Sequence, residues 1–150
     1  LYKQDPRVRL IGRVQSQQEV ASIMNTVDCG VFPSRAEGWN LEILELMAAG
    51  KHIITTNYSA HTEFCNAKNS MLVTPLKNEP AHDGIFFDGF ADWASLEGVE
   101  QEFVVHMQNI YKEWKQNNKA RIVNEEGIQS SKEFSWDATA QKLGDILYAN

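Results

Sequence analysis

Apolar residues along the chain fall into short runs of strand length that alternate with longer stretches. The short runs lie at residues 7–11, 29–32, 52–57 and 71–75, and glycine, proline or polar residues close them. Between the second and third runs lies an apolar stretch of helical length, residues 41–49. Strands that alternate with helices form parallel sheets with right-handed crossovers. The pattern therefore predicts an α/β fold, with a parallel sheet flanked by helices.

Two helices are predicted on either side of the 29–32 run. Ser16 followed three residues later by Glu19 forms a capping box, which is a usual start of a helix. The apolar residues that follow at helical spacing are Val20, Ile23, Met24 and Val27. The second helix, over residues 41–49, is apolar on nearly all sides and is expected to be buried, with Asn40 as its N-cap.

The second half of the chain predicts a loop followed by three helices. Residues 77–92 mix aromatic and turn residues and are expected to form a loop, with His82 and Asp83 in a turn beside an aromatic cluster. A long helix is expected from Ser95 or Gly98, packed through Phe103, Met107, Ile110 and Trp114. A polar helix over residues 119–132 follows. The last helix, capped by Ser135, is expected to bury Trp136, Ala140, Leu143 and Leu147.

Composition and charge narrow the function classes. The 150 residues are 43% apolar and 10% aromatic, enough for the core of a single domain over residues 1–150. The net charge is −6 and the basic residues are scattered, so no nucleic-acid surface is indicated. No apolar run reaches membrane-spanning length. The two cysteines form no disulfide framework, which favours a cytoplasmic location, and they and the histidines have no metal-ligand spacing.

The loop before the helix at 41–49 carries the candidate chemistry. The amides of residues 38–41 are expected to point out of the helix start, an arrangement that favours phosphate. Glu37 precedes them and Glu45 lies within the helix, and carboxylates accept hydrogen bonds from hydroxyl groups. These residues indicate a nucleotide or nucleotide-sugar site. Two alternatives stay open: Glu37 as a solvated loop residue, and Glu45 as a buried structural carboxylate bonded to neighbouring backbone.

The end of the next strand offers a second set of amides. Ser59 is a candidate N-cap for a short helix that reaches about Cys65. His61 in this helix is either an exposed or capping residue or a contact for a ligand phosphate.

The loop and the helix also share a long motif with a known family. The positions that carry it are Pro33, Ser34, Glu37, Gly38, Trp39, Leu41, Glu45, Met47, Ala48 and Gly50. Seven residues lie between the two glutamates, which is the spacing of the family's motif. On these residues the chain resembles the group 1 retaining glycosyltransferases of the GT-B fold. The resemblance covers residues 7–75 well and residues 93–150 loosely.

The resemblance implies the donor-binding, C-terminal half of a GT-B fold, a Rossmann-like domain present here in incomplete form. Its function would be sugar transfer from a nucleotide diphosphate sugar, with retention at the anomeric carbon and without a metal or other cofactor. Glu37 is then the catalytic residue that bonds the donor sugar's hydroxyls, and Glu45 accepts from the ribose. Val14, with Gln15, contacts the base. The phosphate is held by the backbone amides of Gly38, Trp39, Asn40 and Leu41.

Three positions depart from the family's pattern. Asn40 stands in place of a glycine, Glu42 in place of a proline, and His52 in place of the proline before the next strand. A carboxylate at Glu42 suits the positive end of the helix but would repel a diphosphate that it faced. These departures bear on the geometry of the phosphate site and on activity.

The same resemblance implies partners beyond the nucleotide diphosphate sugar. The family's acceptor site, its catalytic histidine and the basic residues that grip the diphosphate lie before the position of residue 7, so an acceptor-binding N-terminal domain is expected outside this chain. Alone, the chain is expected to be inactive, with its open sheet edge covered, for example in a homodimer. Two other functions are alternatives: a non-catalytic nucleotide- or partner-binding scaffold domain, and a GT-B-shaped nucleotide-sugar epimerase.

Overall fold

The computed structural model describes residues 5–149 of the chain. Its elements, in chain order, are α1 (Gln17–Thr26), β1 (Cys29–Phe32), α2 (Leu41–Ala48), β2 (His52–Thr56), β3 (Met71–Val73), β4 (Asn78–His82), β5 (Asp88–Ala94), α3 (Glu100–Gln116), α4 (Glu125–Glu133) and α5 (Trp136–Tyr148). A short 3₁₀ helix, Ala60–Glu63, lies between β2 and β3.

The central sheet is parallel and has the strand order β1-β2-β3. Cys29 of β1 pairs with His52, and Ile54 of β2 pairs with Met71. Because the strands are parallel, their carboxyl ends meet at one edge of the sheet, where ligands bind in folds of this type. Helix α2 provides the crossover that connects β1 to β2. This arrangement confirms the predicted α/β, Rossmann-like fold.

Helices cover both faces of the sheet because neighbouring residues of β2 point to opposite sides. Ile53 belongs to a buried cluster with the inner face of α2, which consists of Ile43, Leu44, Leu46 and Met47. Ile54 belongs to a second cluster with Val73, Val99, Phe103 and Ile110. The sheet therefore lies between α2 on one side and α3 on the other, and this packing holds the β1–α2–β2 unit in place.

Asn124, the N-cap of α4, fastens that helix to the turn after α2. Its buried amide nitrogen Nδ2 donates to the backbone oxygens of Lys51 (3.0 Å) and Asn69 (2.9 Å), and its Oδ1 accepts from the Gly127 amide (2.9 Å). Its own backbone amide donates to the oxygen of Gly50 over 3.0 Å. The side chain thus has partners for both its donors and its acceptor, as a buried polar group requires.

Helix α1 confirms the predicted amphipathic helix. The Ser16 hydroxyl oxygen accepts a hydrogen bond from the Glu19 amide over 3.2 Å. The Glu19 carboxylate accepts in turn from the amide of Gln15 over 2.9 Å, one residue before the N-cap. The four apolar residues of the predicted face are all half-buried: Val20, Ile23, Met24 and Val27.

The strand predicted at residues 7–11 is wrong. These residues are irregular, and the side chains of Val8, Leu10 and Ile11 are exposed. An extended run becomes a strand only where a neighbour satisfies its N–H and C=O groups. Within residues 5–149, no strand lies beside this run, and β1 pairs with β2 alone, which leaves the other edge of β1 open.

The loop predicted at residues 77–92 is also wrong, because β4 and β5 form an antiparallel hairpin there. The register is irregular between Pro80 and His82, and this irregularity conceals the alternation that marks a strand. The turn itself is as predicted. The Asp83 carboxylate accepts from three backbone amides at 2.8 to 3.0 Å, those of Ile85, Phe86 and Phe87.

The C-terminal helices differ from prediction in their bounds and burial. Helix α3 begins only at Glu100. Residues 119–124 are not helical, because Asn118 and Lys119 have φ of 51° and 63° and end the helical path. Of the predicted stripe on α3, Phe103 and Ile110 are buried, whereas Met107 is exposed and Trp114 is half-buried.

Helix α5 begins as predicted but does not bury the predicted face. The Ser135 hydroxyl oxygen accepts from the Ala138 amide over 3.2 Å, so the cap is confirmed. However, no residue of α5 is buried, and Trp136 is 85% exposed. The predicted face is exposed at every position, namely Trp136, Ala140, Leu143 and Leu147. An amphipathic pattern buries a face only where another element packs on it, and no described element does so here.

Both thiols should be unreactive in the folded chain. Burial, with Asp28 nearby, raises the pKa of Cys29 to about 12, and burial raises the pKa of Cys65 to about 11. At pH 8 the thiolate fraction of each is then about one in a thousand or less. We expect Ellman's reagent to label neither cysteine rapidly in buffer and to label both at once in guanidinium chloride. Rapid labelling of either thiol in the native protein would contradict this packing.

Candidate functional site

The loop between β1 and α2, residues 33–40, is held at the carboxyl edge of the sheet by hydroxyl groups. The Thr56 hydroxyl, at the end of β2, donates to the backbone oxygen of Ser34 over 2.5 Å. The Ser59 hydroxyl donates to the backbone oxygen of Glu37 over 2.7 Å and accepts from its amide at 2.9 Å. The β1–α2 loop is therefore positioned by the last residue of β2 and by the segment that follows β2.

Ser59 does not act as the predicted N-cap. Its φ is 72°, its side chain makes no capping hydrogen bond, and only the 3₁₀ helix Ala60–Glu63 follows it. Its hydroxyl bonds across to Glu37 instead. A residue predicted to serve its own helix therefore serves the neighbouring loop, 22 residues away in the chain.

The Glu37 carboxylate is held at the mouth of a cleft. Its Oε1 accepts a hydrogen bond from the Ser34 hydroxyl over 2.7 Å, and the residue is half-buried. The carboxylate is therefore oriented by the protein, unlike a freely solvated loop residue. It still has acceptor capacity beyond the bond from Ser34, because two carboxylate oxygens offer about four lone-pair directions.

Asn40 precedes α2 but does not cap it in the predicted way. Its φ is 66° and its ψ is 67°, so it adopts the left-handed conformation, and its side chain makes no capping hydrogen bond. This conformation is the one that glycine adopts freely and that asparagine tolerates better than most residues. The asparagine therefore fits the backbone at the position where the family has glycine. The side chain therefore leaves the first amides of α2 uncapped.

Trp39 packs against the domain, whereas the backbone of Gly38 is accessible. The Trp39 ring packs against Phe64 and Phe134, with ring centroids 5.3 and 5.9 Å apart. This side chain is therefore an anchor for the loop, and only its backbone remains available for the predicted phosphate contact. Gly38 has no atom within 4 Å of the place that a Cβ would occupy, so the backbone there borders open space.

Glu45 is exposed, not buried as predicted. Helix α2 buries one face, while Leu41, Glu45 and Ala48 form an exposed stripe on another. Residues four apart on a helix are neighbours, so Glu45 lies one turn below the Leu41 amide at the helix start. Burial of an apolar helix depends on its neighbours, and α1 leaves a cleft of about 330 Å³ in front of this stripe, lined on its side by Gln17, Val20, Ala21, Met24 and Asn25.

The structure does not bring all the predicted site residues into one cleft. Glu37 lines the cleft beside the β4–β5 hairpin, whereas Glu45 lines the cleft between α1 and α2. Val14 is half-buried in the irregular segment before α1. The amide of Gln15 already donates to Glu19, so it is not free for the predicted contact with a base.

His61 is buried and bonds to the carboxyl end of β2. Its side chain is fully buried. Its Nε2 lies 2.7 Å from the backbone oxygen of Thr56 and 3.1 Å from the Thr55 hydroxyl. A carbonyl oxygen can only accept, so Nε2 carries the proton. The predicted exposed histidine is therefore wrong, whereas the contact with a ligand phosphate stays a prediction.

Arg35 clamps the hairpin onto the β1–α2 loop. Its Nε donates to the backbone oxygen of Ala94 over 3.2 Å, while the Ala94 amide donates to the backbone oxygen of Arg35 over 2.7 Å. Its guanidinium also pairs with Glu79 and lies 4.1 Å from the ring centroid of Trp93. A further bond joins the Tyr58 hydroxyl to the backbone oxygen of Asp92 over 3.1 Å.

Sequence reasoning missed the residues of this clamp. Arg35 lies 44 residues from Glu79 and 59 from Ala94 along the chain, so no local spacing connects them. Trp93 lies in β5, directly after residues 77–92, where the sequence predicts a loop. The one available signal is the position of Arg35 itself, two residues before Glu37 in the motif of the loop.

One protein family matches the part of the chain that contains the parallel sheet and the β1–α2 loop. The family model of the glycosyl transferases group 1 matches residues 1–84, more than half of the chain. The chain therefore belongs to the group 1 glycosyltransferases, and it contains a domain of the GT-B type. Among curated proteins, none matches the chain.

The described part of the chain shows neither a metal-binding cluster nor a membrane-spanning helix. Among residues 5–149, no group of three or more histidine, cysteine, aspartate or glutamate side chains is placed to hold a metal ion. In the same part of the chain, no helix has the length and apolar character needed to cross a membrane.

At position 40, replacement of asparagine by glycine should destabilise the domain less than replacement by alanine. Glycine adopts the left-handed conformation without a Cβ penalty, whereas alanine does not. We expect Asn40→Ala to be less stable than Asn40→Gly by about 1 kcal/mol in urea unfolding, because a left-handed residue with a Cβ costs about 1–2 kcal/mol. Equal stability of the two variants would show that residue 40 does not adopt positive φ.

Arg35 should stabilise the domain more than a surface ion pair does. We expect Arg35→Met to lower the free energy of unfolding by about 1–2 kcal/mol, chiefly through the lost hydrogen bond and cation–π contact, since a half-exposed ion pair adds little. The matched control is Lys77→Met, which removes an exposed ion pair with Glu97 (2.5 Å) and should change stability by less than about 0.5 kcal/mol. Faster proteolysis at the hairpin turn should accompany the first variant only.

Proposed function

We propose that this domain binds a nucleotide diphosphate sugar and presents it for transfer with retention at the anomeric carbon. The observation that carries the proposal is the fixed Glu37, whose backbone bonds to Ser59 on both sides and whose carboxylate accepts from Ser34. A carboxylate oriented in this way, next to the open backbone of Gly38, suits the recognition of sugar hydroxyls beside a phosphate. Membership of the group 1 glycosyltransferases supports this assignment.

The start of α2 supports the placement of the diphosphate. The first amides of a helix have no intrahelical partner and carry the positive end of the helix dipole. The left-handed Asn40 leaves them uncapped by its side chain. The backbone of Gly38, Trp39, Asn40 and Leu41 then holds phosphate oxygens, while the Trp39 ring remains in its packing against Phe64.

The exposed stripe of α2 supports a role for Glu45 with the ribose. Glu45 is open to the cleft between α1 and α2, one helical turn from the Leu41 amide. A ligand whose phosphates lie at the helix start and whose nucleoside extends along this cleft reaches Glu45 with its ribose hydroxyls. Val14, in the segment before α1, is the proposed neighbour of the base.

The reaction that fits this arrangement transfers the sugar directly from the donor to the acceptor. The bond between the anomeric carbon and the diphosphate oxygen breaks, and a bond from the acceptor oxygen to that carbon forms on the same face. The acceptor's proton passes to the leaving diphosphate, and the helix amides stabilise the charge on that leaving group. In this scheme Glu37 holds the sugar ring through its hydroxyls.

The two glutamates should respond differently to substitution. We expect Glu45→Gln to weaken binding of a free nucleoside diphosphate and of its sugar derivative alike, by about 1.5–3 kcal/mol, the range for hydrogen bonds to a charged group. Glu37→Gln should weaken binding of the nucleotide sugar more than binding of the free nucleoside diphosphate. Calorimetric titration with UDP, GDP and ADP and their glucose or mannose derivatives measures both effects.

The matched control for this experiment is Glu102→Gln, which removes the same charge from an exposed position in the first turn of α3. It should leave both affinities unchanged. Equal losses for the two ligands in Glu37→Gln would reject the sugar role of Glu37. Failure of every nucleotide to bind the wild-type chain would reject the proposed function and would favour a scaffold role.

A further inference from the structure

The cleft beside Glu37 has one polar wall and one aromatic wall. The polar wall is the β1–α2 loop, with Ser34, Arg35, Ala36, Glu37 and Gly38. The opposite wall comes from the hairpin and consists of Phe87 and Trp93. The cleft measures about 720 Å³, ample for a single sugar ring. The family match ends at residue 84, in the turn of the hairpin, so both aromatic residues lie outside the matched range.

The aromatic wall is held in place against the loop. Trp93 lies beneath the Arg35 guanidinium at 4.1 Å, and Arg35 also bonds to Ala94, the last residue of β5. Phe87 packs against Trp93 with ring centroids 6.4 Å apart. Because Arg35 and Glu37 belong to the same short loop, the clamp sets the position of the aromatic rings relative to the Glu37 carboxylate.

The chemistry of the two walls matches a pyranose ring. The Phe87 ring packs against Phe90, with centroids 5.7 Å apart, and against Trp93, and because the residue is 39% exposed part of the ring remains open. A pyranose has an apolar face of C–H groups, which packs on an aromatic ring, and a rim of hydroxyl groups, which donate to carboxylates. The Ser34 hydroxyl is bonded to Glu37 and so belongs to the same polar rim. Two negative charges on a phosphate would instead meet the Glu37 carboxylate.

We infer that Phe87 of the hairpin is the platform on which a saccharide ring stacks when its hydroxyl groups bond to Glu37 across the cleft. The inference rests on the proposed function, because that function places a sugar at Glu37. It adds that the hairpin of this chain, rather than the matched part alone, determines which sugar is accepted. The ring belongs either to the donor or to a saccharide acceptor, and the two sources share this chemistry.

The test is ligand-observed NMR on the chain, with saturation-transfer titrations of the methyl α-glycosides of glucose, mannose and galactose and of UDP, UDP-glucose, GDP and GDP-mannose. The test variant is Phe87→Ala, with Phe87→Tyr as the conservative variant that keeps the ring. The matched control is Phe86→Ala, which removes a neighbouring ring that is 79% exposed and does not line the cleft.

We expect Phe87→Ala to weaken saccharide binding about two-fold to ten-fold, the loss that one aromatic contact produces. Phe87→Tyr and Phe86→Ala should leave it unchanged, and binding of UDP or GDP should be the same in all variants. If Phe87→Ala weakens binding of the free glycosides in the presence of saturating nucleoside diphosphate, the stacked ring belongs to an acceptor. If Phe87→Ala weakens binding of the nucleotide sugar alone, the stacked ring belongs to the donor.

The inference is overturned if the wild-type chain binds none of these saccharides, if Phe87→Ala changes neither ligand class, or if Phe86→Ala has the same effect. These results are distinct from a failure of the proposed function. That failure appears as the absence of UDP and GDP binding by the wild-type chain, whereas an overturned inference leaves nucleoside diphosphate binding intact.

Discussion

The hydroxyl contacts between the ends of β1 and β2 are the constraint on which the site depends. Thr56 donates to the Ser34 oxygen, and the imidazole of His61 holds the Thr56 oxygen in turn. Thr56 and His61 are fully buried, so loss of one partner leaves a polar group without water, at a cost of about 1–3 kcal/mol. The loop that carries Glu37 therefore keeps one position relative to the sheet before any ligand arrives.

Helix α2 joins this rigid edge to the core. Its inner face, with Ile43 and Met47 fully buried, packs on the sheet. Helix α4 packs against α2, and its N-cap Asn124 donates to the backbone oxygens of Lys51 and Asn69, which follow α2 in the chain. The helix start is thereby fixed, and its free amides point where the β1–α2 loop ends. Because α1 leaves the outer stripe open, Glu45 is reachable from solvent. The same packing that stabilises the domain thus also positions the start of α2, where the proposed function places the diphosphate.

The β4–β5 hairpin forms one wall of the cleft beside Glu37. It does not extend the parallel sheet but forms a separate two-stranded sheet. Isolated hairpins are marginally stable in water, so its position depends on the contacts that Arg35 and Tyr58 make with it. This coupling means that changes in the hairpin sequence reach the cleft without altering the sheet or α2.

Local patterning determined the β1–α2–β2 unit, the caps at Ser16 and Ser135 and the family motif, because each depends on residues a few positions apart. Tertiary structure decided the exposure of Glu45, which depends on how closely α1 approaches α2. It also decided that residues 7–11 are not a strand, because a strand needs a neighbouring strand to pair with. It also decided the hairpin and its clamp, since Arg35 meets residues 44 and 59 positions away. Contacts between distant residues leave no periodic trace in a sequence, so only the folded chain reveals them.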